Sequence, residues 1–272
     1  MIEMNQDEFD ALTEYIQKRY GMKLSNKRNL IQCRIQHELE RLHLESFLEY
    51  VKTVKKDPET EQNLIDLTAT NYTYFMRESG QFEYLEHEIL QRLRDRENVF
   101  RIWSAGCATG EECYTIAITA EECRRRGWKL PKIEITGTDI AKHELTQGEE
   151  GKYLPRQLIK VPVDWKMRYF KKEGTVYAVT QLIKDMVRFR YHNLAELQWP
   201  DEQYDVIFCR NVIVYMDIQK KKEILQGLYQ SLKPGGYLFL GNGEIIRPGH
   251  GKWEFLGHSV YQKKVIRTAS DF

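Results

Sequence analysis

The feature that most constrains the fold lies after residue 98, where short apolar runs begin to alternate with stretches of helical periodicity. Apolar runs at 100–104, 133–137, 205–209 and 237–240 are predicted strands, and helices are predicted at 112–125 and 218–232. Strands that alternate with helices form a parallel sheet covered by helices, because each crossover returns the chain to the same end of the sheet. The larger part of the chain is therefore predicted to be an α/β domain.

Two regions depart from that alternation. Between residues 151 and 193, the runs 176–179 and 187–191 alternate apolar or aromatic with polar residues, which predicts a small antiparallel sheet inserted into the α/β domain. From residue 6 to about residue 70, apolar residues recur at helical spacing, as at Phe9, Leu12 and Ile16. We therefore predict a helical domain at 1–70 and a second domain at 71–272 that contains an insertion at 151–192.

The distribution of charge indicates which classes of partner the chain can bind. The 272 residues include 41 basic and 40 acidic side chains, so the chain lacks the global positive field with which nucleic-acid binders attract phosphate. Seven basic residues lie between Lys18 and Arg41 against two acidic ones, and we place them on one helix that starts near Ser25 and Asn26. This cluster is either a solvated helix face or a docking surface for an acidic partner.

Signals for membrane targeting and metal binding are weak. The amino-terminal segment is acidic and has no apolar core of signal-peptide length, and no apolar run approaches about 18 residues. We expect a cytoplasmic protein without direct insertion into a membrane. The five cysteines are scattered and form no CxxC pair, so we predict reduced thiols that fill space and no metal site.

A glycine-rich turn and a later aspartate carry the first chemical signal. The first predicted strand runs into a turn with Gly106, Ala108 and Gly110 at alternate positions, which lets the backbone approach a ligand closely. Asp139 ends the next strand and should stand at the same edge of the sheet, where a carboxylate can accept both hydroxyl hydrogens of a ribose. Alternatively, the turn is only a tight connection and Asp139 caps the following helix. Together the two features favour a nucleoside ligand.

NAD and S-adenosylmethionine both present a ribose to such an acid. Glu111 and Glu112 follow the turn, where a pyrophosphate would be repelled, so the pattern favours S-adenosylmethionine. No glycine-lysine-serine/threonine signature of a triphosphate-binding loop is present.

Five ordered motifs carry a resemblance to a known family. They are NYTYFMR at 71–77, WSAGCATGEE at 103–112, GTDI at 137–140, HNL at 192–194 and FCRNVIVY at 208–215. The chain resembles the CheR family, the bacterial methyltransferases of chemotaxis receptors. The resemblance implies a class I methyltransferase fold: a Rossmann-like α/β sheet with a small antiparallel β insertion and an amino-terminal all-α domain. Two departures are Cys113, where the family usually has proline, and the sequence GNGE at 241–244.

The resemblance also implies the residues of the site. The segment between the domains would reach S-adenosylmethionine, one of the two glutamates would sit by its methionine end, Asp139 would hold its ribose, and four later residues would complete the pocket. The implied cofactor-binding residues are Asn71, Thr73, Arg77, Gly106, Glu111, Glu112, Asp139, Asn193, Leu194, Arg210 and Asn211. Without the family, Asn71 and Thr73 could be helix caps, Arg77 a surface ion pair, and Arg210 with Asn211 a turn at the end of a strand.

The implied reaction is methyl transfer to glutamate side chains of chemoreceptors, with S-adenosylhomocysteine as the other product. A carboxylate is already a nucleophile at neutral pH, so no metal and no strong base are needed, and Arg77 is our candidate to orient it. The basic helix would dock the cytoplasmic helical bundle of a receptor. Because the insertion is short, we expect no binding of a receptor tail. The alternatives are a methyltransferase with another substrate and a silent cofactor-binding module.

Overall fold

The computed structural model describes residues 3–24, 28–69, 71–196, 198–199, 203–246 and 252–264. Four helices open the chain: α1 at Gln6–Tyr20, α2 at Arg28–Arg41, α3 at Phe47–Val54 and α4 at Pro58–Thr68. Asn5 begins α1 with a capping box in which Asn5 and Glu8 each accept the other's backbone N–H. Gly21 ends α1 in the left-handed conformation, at φ 71°. The prediction of a helical amino-terminal region is confirmed.

The basic residues from Lys18 to Arg41 do not lie on one helix, so that prediction is wrong. Lys18 and Arg19 lie in the last turn of α1, Lys23 follows that helix, and the later arginines lie on α2. Gly21 adopts the left-handed conformation and separates the two helices. The positions of the charged residues in the sequence do not indicate this break. The predicted helix start at Ser25 and Asn26, and Lys27, fall outside the described residues.

A seven-stranded sheet forms the centre of the larger part of the chain. Its strands are β1 (Phe100–Ala105), β2 (Ile133–Asp139), β6 (Val187–Tyr191), β7 (Tyr204–Cys209), β8 (Leu232–Leu240), β9 (Trp253–Gly257) and β10 (Val260–Lys263), in the order β6-β2-β1-β7-β8-β10-β9. The first five in this order are parallel, and β10 runs antiparallel to both neighbours. This part of the chain also contains four helices, which are α5 (Gly80–Tyr84), α6 (Glu111–Arg125), α7 (Lys142–Glu150) and α10 (Ile218–Ser231). The predicted α/β fold and its four strands are confirmed.

The predicted insertion is a three-stranded antiparallel sheet, but one of its two predicted strands is wrong. The small sheet consists of β3 (Lys152–Tyr153), β4 (Phe170–Glu173) and β5 (Val176–Val179), with α8 (Val163–Tyr169) and α9 (Gln181–Lys184) beside it. The run at 187–191 is β6, which pairs in parallel with β2 at the edge of the large sheet. An edge strand is only partly covered, so it alternates buried and exposed residues as an antiparallel strand does.

The amino-terminal helices share their core with the sheet. One continuous buried cluster includes Leu12 and Ile35 from the helices together with Trp103 and Ile207 from β1 and β7. All five cysteines are free thiols, of which four are buried and Cys33 is exposed on α2. The domain boundary at residue 70 stays a prediction. Within the described part of the chain, no helix has the length and apolar character needed to cross a membrane.

Candidate functional site

A pocket that is partly open to solvent lies at the carboxyl ends of β1, β2 and β7. Ligands of open α/β sheets bind at this edge, next to the point where the strand order reverses. Ten of the eleven predicted cofactor-binding residues line it, and Glu111 does not. The ten are Asn71, Thr73, Arg77, Gly106, Glu112, Asp139, Asn193, Leu194, Arg210 and Asn211.

The loop between β1 and α6 forms the floor of the pocket next to β2. Gly106, Ala108 and Gly110 all have positive φ, at 85°, 46° and 89°. The Gly106 N–H donates to the Thr138 carbonyl at 2.7 Å, which ties the loop to the end of β2. A Cβ at position 106 would lie 2.4 Å from Val212 Cγ2, so only glycine fits. The loop is thereby held close to the space that a ligand would occupy.

Asp139 lies at the end of β2 and is buried, with its carboxylate at the pocket. One carboxylate oxygen accepts the Ala108 N–H at 2.9 Å and the other accepts the Ala141 N–H at 3.0 Å. Burial raises the pKa of the Asp139 carboxyl, and these two backbone donors oppose that rise. A carboxylate oxygen has more than one acceptor site, so Asp139 can still accept ribose hydroxyl hydrogens.

The two glutamates after the loop face different surroundings. Glu111 is fully buried away from the pocket, where it accepts Thr109 Oγ1–H at 2.5 Å and Gln157 Nε2–H at 3.1 Å. Burial raises the pKa of the Glu111 carboxyl. Glu112 lines the pocket and accepts Ser104 Oγ–H at 2.7 Å. Of this pair, Glu112 is therefore the residue that can contact a ligand.

Arg210 forms an ion pair beneath the pocket. Its side chain is only 2% exposed, and its Nε donates to Glu112 Oε2 at 2.6 Å. Its Nη1 donates to Gln81 Oε1 at 2.9 Å and lies 3.7 Å from Glu78 Oε2. Two carboxylates thus compensate this guanidinium, and its main effect is to fix the orientation of Glu112.

Arg77 projects from the segment that links α4 to α5. Its Nη1 donates to the Tyr72 carbonyl at 2.6 Å, and its guanidinium lies 5.8 Å from the centre of the Tyr72 ring. The ion pairs of the described residues include no carboxylate for Arg77. It therefore adds an uncompensated positive charge to the pocket wall.

Asn193, through its side chain, and Asn211, through its backbone, each form a hydrogen bond between the pocket wall and a distant part of the chain. Asn193 is buried, and its Nδ2 donates to the Arg19 carbonyl of α1 at 3.3 Å. Asn211 has a φ of 59°, and its backbone N–H donates to Glu244 Oε2 at 2.7 Å. Leu194, next to Asn193, is buried on the same wall.

The two departures from the family pattern have different surroundings. Glu244 is buried and accepts three backbone N–H groups, from Asn211 at 2.7 Å, Val214 at 2.9 Å and Gly241 at 2.8 Å. Burial raises the pKa of the Glu244 carboxyl. Glu244 therefore fixes the loop that forms one wall of the pocket. Cys113 is fully buried in α6 against β2 and does not line the pocket.

The sequence analysis missed the contribution of the segment after α1. Met22 forms an antiparallel bridge with Met216, and the Lys23 N–H donates to the Tyr215 carbonyl at 2.9 Å. Tyr20, Met22, Lys23 and Leu24 consequently line the pocket opposite the sheet. The only signal in the sequence was Gly21, which ends α1 at this point. His192 also lines the pocket, and its buried Nε2 has no hydrogen-bond partner among the described residues.

Comparisons with known proteins agree over nearly the whole chain. Residues 71–261 match the family described as "CheR methyltransferase, SAM binding domain", and residues 7–68 match "CheR methyltransferase, all-alpha domain". A chemotaxis protein methyltransferase from Borreliella burgdorferi is 33% identical over 96% of each chain. Another, named Cher2, from Pseudomonas putida is 31% identical over 89% of this chain and 92% of its own. A solved S-adenosylmethionine-dependent methyltransferase from Methanosarcina mazei covers 57% of this chain and 56% of its own, at 16% identity and a TM-score of 0.34.

Proposed function

Because the chain belongs to the CheR methyltransferase family, we propose that it methylates glutamate side chains in the cytoplasmic helical bundle of chemoreceptors. The chain is an S-adenosylmethionine-dependent methyltransferase of chemotaxis. The observation that carries the glutamate proposal is the uncompensated Arg77 guanidinium on a pocket that also contains the buried Asp139. The products would be a glutamyl methyl ester and S-adenosylhomocysteine, formed in the cytoplasm.

The residues of the pocket fit S-adenosylmethionine. Asp139 supplies buried acceptor oxygens for a ribose, the loop at Gly106 allows close approach, and Glu112 offers a carboxylate for the ammonium of the methionine end. Asn71, Thr73, Asn193, Leu194, Arg210 and Asn211 would form the surrounding wall. When bound, the cofactor supplies an electrophilic methyl group on its sulfonium.

The chain's part in the reaction is to position the acceptor. A glutamate carboxylate is nucleophilic at neutral pH, so alignment and exclusion of water supply most of the rate. Arg77 can hold that carboxylate with its remaining N–H donors, because only one of them is used by the Tyr72 carbonyl. We assign no general base.

The direct test of this proposal uses a receptor cytoplasmic fragment and S-adenosylmethionine, with peptide mass spectrometry of the product. We expect one added methyl group on specific glutamates, and no addition after those glutamates are replaced by glutamine. Methylation of any other residue type, or of a small molecule in place of the fragment, would contradict the proposal.

We expect Arg77→Ala to lower kcat/KM for the receptor roughly tenfold or more, because an ionised carboxylate loses a charge-assisted partner. Arg77→Lys keeps the charge without the planar fork and should recover only part of the rate. Steady-state kinetics and calorimetry with the cofactor measure both effects. Arg101→Ala, at a half-buried arginine of β1 that does not line the pocket, is the matched control. Unchanged cofactor affinity and unchanged methylation in Arg77→Ala would remove Arg77 from the site.

We propose that part of the basic region between Lys18 and Arg41 docks the acidic receptor bundle. Four of its arginines are held within the chain: Arg19 by Glu61, Arg28 by Gln6, Arg34 by the Leu67 carbonyl and Arg41 by Glu38. Among the described residues of the region, Lys18 and Lys23 form no side-chain hydrogen bond or ion pair, although Lys23 helps to lower the pKa of Asp217. These two lysines are therefore the groups most able to pair with a receptor.

Methylation of the receptor is expected to fall about tenfold as salt rises from roughly 0.05 M to 0.5 M, because the ions screen exposed charges. Lys18→Glu should lower the rate at low salt and flatten this dependence. Lys52→Glu, which makes the same charge change on α3, should retain the salt dependence of the wild-type rate. If the wild-type rate did not respond to salt, the basic region would have no role in docking.

A further inference from the structure

The insertion concentrates positive charge more strongly than any region that the sequence analysis singled out. Residues 152–172 contain seven basic side chains and one acidic one, Asp164, in a chain whose net charge is +1. Arg168 pairs with Glu122 and Asp164, and Lys152 pairs with Glu173. The ion pairs of the described residues include none of the other five, which are Arg156, Lys160, Lys166, Lys171 and Lys172.

The same short stretch presents aliphatic side chains to solvent. Ile159 and Val163 are each 72% exposed, and Met167 is 80% exposed. Six large apolar residues in the described part of the chain exceed 70% exposure, and these three lie within nine residues of one another. Val163 and Met167 are one helical turn apart on α8 and therefore share a face. Scattered exposed aliphatic residues need no explanation, but three of them in one short segment that also carries five unpaired cations do.

Buried contacts fix this surface in place. Leu158, Val161 and Tyr169 are buried beneath it. Tyr153 Oη–H donates to the Thr109 carbonyl at 2.6 Å, Gln157 Nε2–H donates to Glu111 at 3.1 Å, and Tyr169 Oη–H donates to Glu122 at 2.6 Å. The exposed side chains therefore belong to a segment that is hydrogen-bonded to the loop between β1 and α6 and to α6 itself. The aliphatic residues are held outward while their neighbours form the core.

We propose that the surface formed by residues 156–172, here named the insertion surface, adsorbs to an anionic lipid surface. Lysine outnumbers arginine among the uncompensated cations, and lysine suits diffuse attraction to a charged plane better than bidentate pairing. Protein interfaces favour aromatic residues, methionine and arginine and are depleted in lysine, whereas this surface carries four unpaired lysines and, of its three exposed apolar residues, only Met167 is of a favoured type. Ile159, Val163 and Met167 can enter the headgroup region while lysines remain at its level. No segment needs to cross the bilayer.

Adsorption would place the enzyme where membrane receptors lie and raise its effective concentration there. The proposal rests on the insertion surface alone and not on the methyl-transfer reaction. It can therefore fail while the proposed function holds, and the reverse is also true.

The test is sedimentation of the full chain with vesicles at about 0.1 M salt. With vesicles of roughly 30% phosphatidylglycerol in phosphatidylcholine, we expect at least about tenfold stronger partitioning than with phosphatidylcholine alone. The charge-reversal pair Lys160→Glu and Lys171→Glu should remove that preference. The control pair Lys52→Glu and Lys56→Glu, at two other exposed lysines, should retain most of the preference for anionic vesicles.

The apolar contribution is tested separately. Val163→Ser with Met167→Ser should reduce partitioning on anionic vesicles by about tenfold. Leu48→Ser with Phe255→Ser, at other exposed apolar positions, is the matched control. Thermal unfolding verifies that each variant is folded, and conservative Lys160→Arg with Lys171→Arg should retain binding. Equal partitioning on both vesicle types, equal losses in variants and controls, or binding to polyglutamate without vesicle binding would each overturn the proposal.

Discussion

Replacement of Asp139 by asparagine is expected to weaken the binding of S-adenosylmethionine by about 100-fold. The carboxylate accepts N–H groups from Ala108 and Ala141, one on each oxygen. An asparagine would turn an NH₂ group toward one of these donors and would lose an acceptor for the ribose. A hydrogen bond to a charged group contributes about 1.5–3 kcal/mol, and about 2.7 kcal/mol corresponds to a factor of 100 in affinity.

Isothermal calorimetry of wild type and Asp139→Asn measures this loss, and S-adenosylhomocysteine should show a loss of the same size. Glu144→Gln is the matched control, since Glu144 lies in the first turn of α7, shortly after β2, but does not line the pocket. If Asp139→Asn bound the cofactor as tightly as Glu144→Gln does, Asp139 would be only a structural acceptor for the two backbone N–H groups.

Replacement of Arg210 by methionine is expected to lower the free energy of unfolding by about 3–5 kcal/mol, because removal of one partner leaves a buried charge uncompensated. Arg210 is 2% exposed and holds Glu112 at 2.6 Å, while Glu112 itself is 13% exposed. Urea unfolding without cofactor measures the change. Arg101→Met, which breaks a solvent-accessible pair with Glu134 whose side chains are 41% and 40% exposed, should cost no more than about 1 kcal/mol.

A second substitution separates charge from packing in this ion pair. Arg210→Met combined with Glu112→Gln removes the two charges joined at 2.6 Å and leaves only the more distant Glu78 carboxylate without its cation, and the amide can still accept from Ser104 Oγ–H. We expect the double variant to regain at least half of the lost stability. A double variant as unstable as the sum of the two single variants would mean that Arg210 acts through shape and its contact with the Phe82 ring instead.

Much of the site could be predicted because its main parts are local in sequence. The Gly106 loop and Asp139 each follow a strand, and the carboxyl ends of neighbouring parallel strands meet at one edge of the sheet. The choice between Glu111 and Glu112 could not be predicted. Adjacent helical residues point about 100° apart, and which one faces the pocket depends on the entry angle of α6 after Gly110.

The parts that sequence reasoning missed depend on contacts between distant segments. Met22 meets Met216 through a single bridge, which has no periodicity to detect. Glu244 accepts backbone N–H groups from a loop about 30 residues earlier in the chain. In the sequence this residue was only a departure from the family pattern, whereas in the structure it fixes the wall of the pocket. The strand β6 was assigned to the wrong sheet because an edge strand shows the same alternation in either environment.

The measurement that tests the central claim most directly is incubation of the protein with methyl-labelled S-adenosylmethionine and receptor-rich membranes, followed by alkali. Glutamyl methyl esters hydrolyse under alkali, so we predict label on receptor bands that is released as volatile methanol. No alkali-labile label on the receptors, with cofactor binding verified by calorimetry, would contradict the account and indicate another substrate or a silent cofactor-binding module.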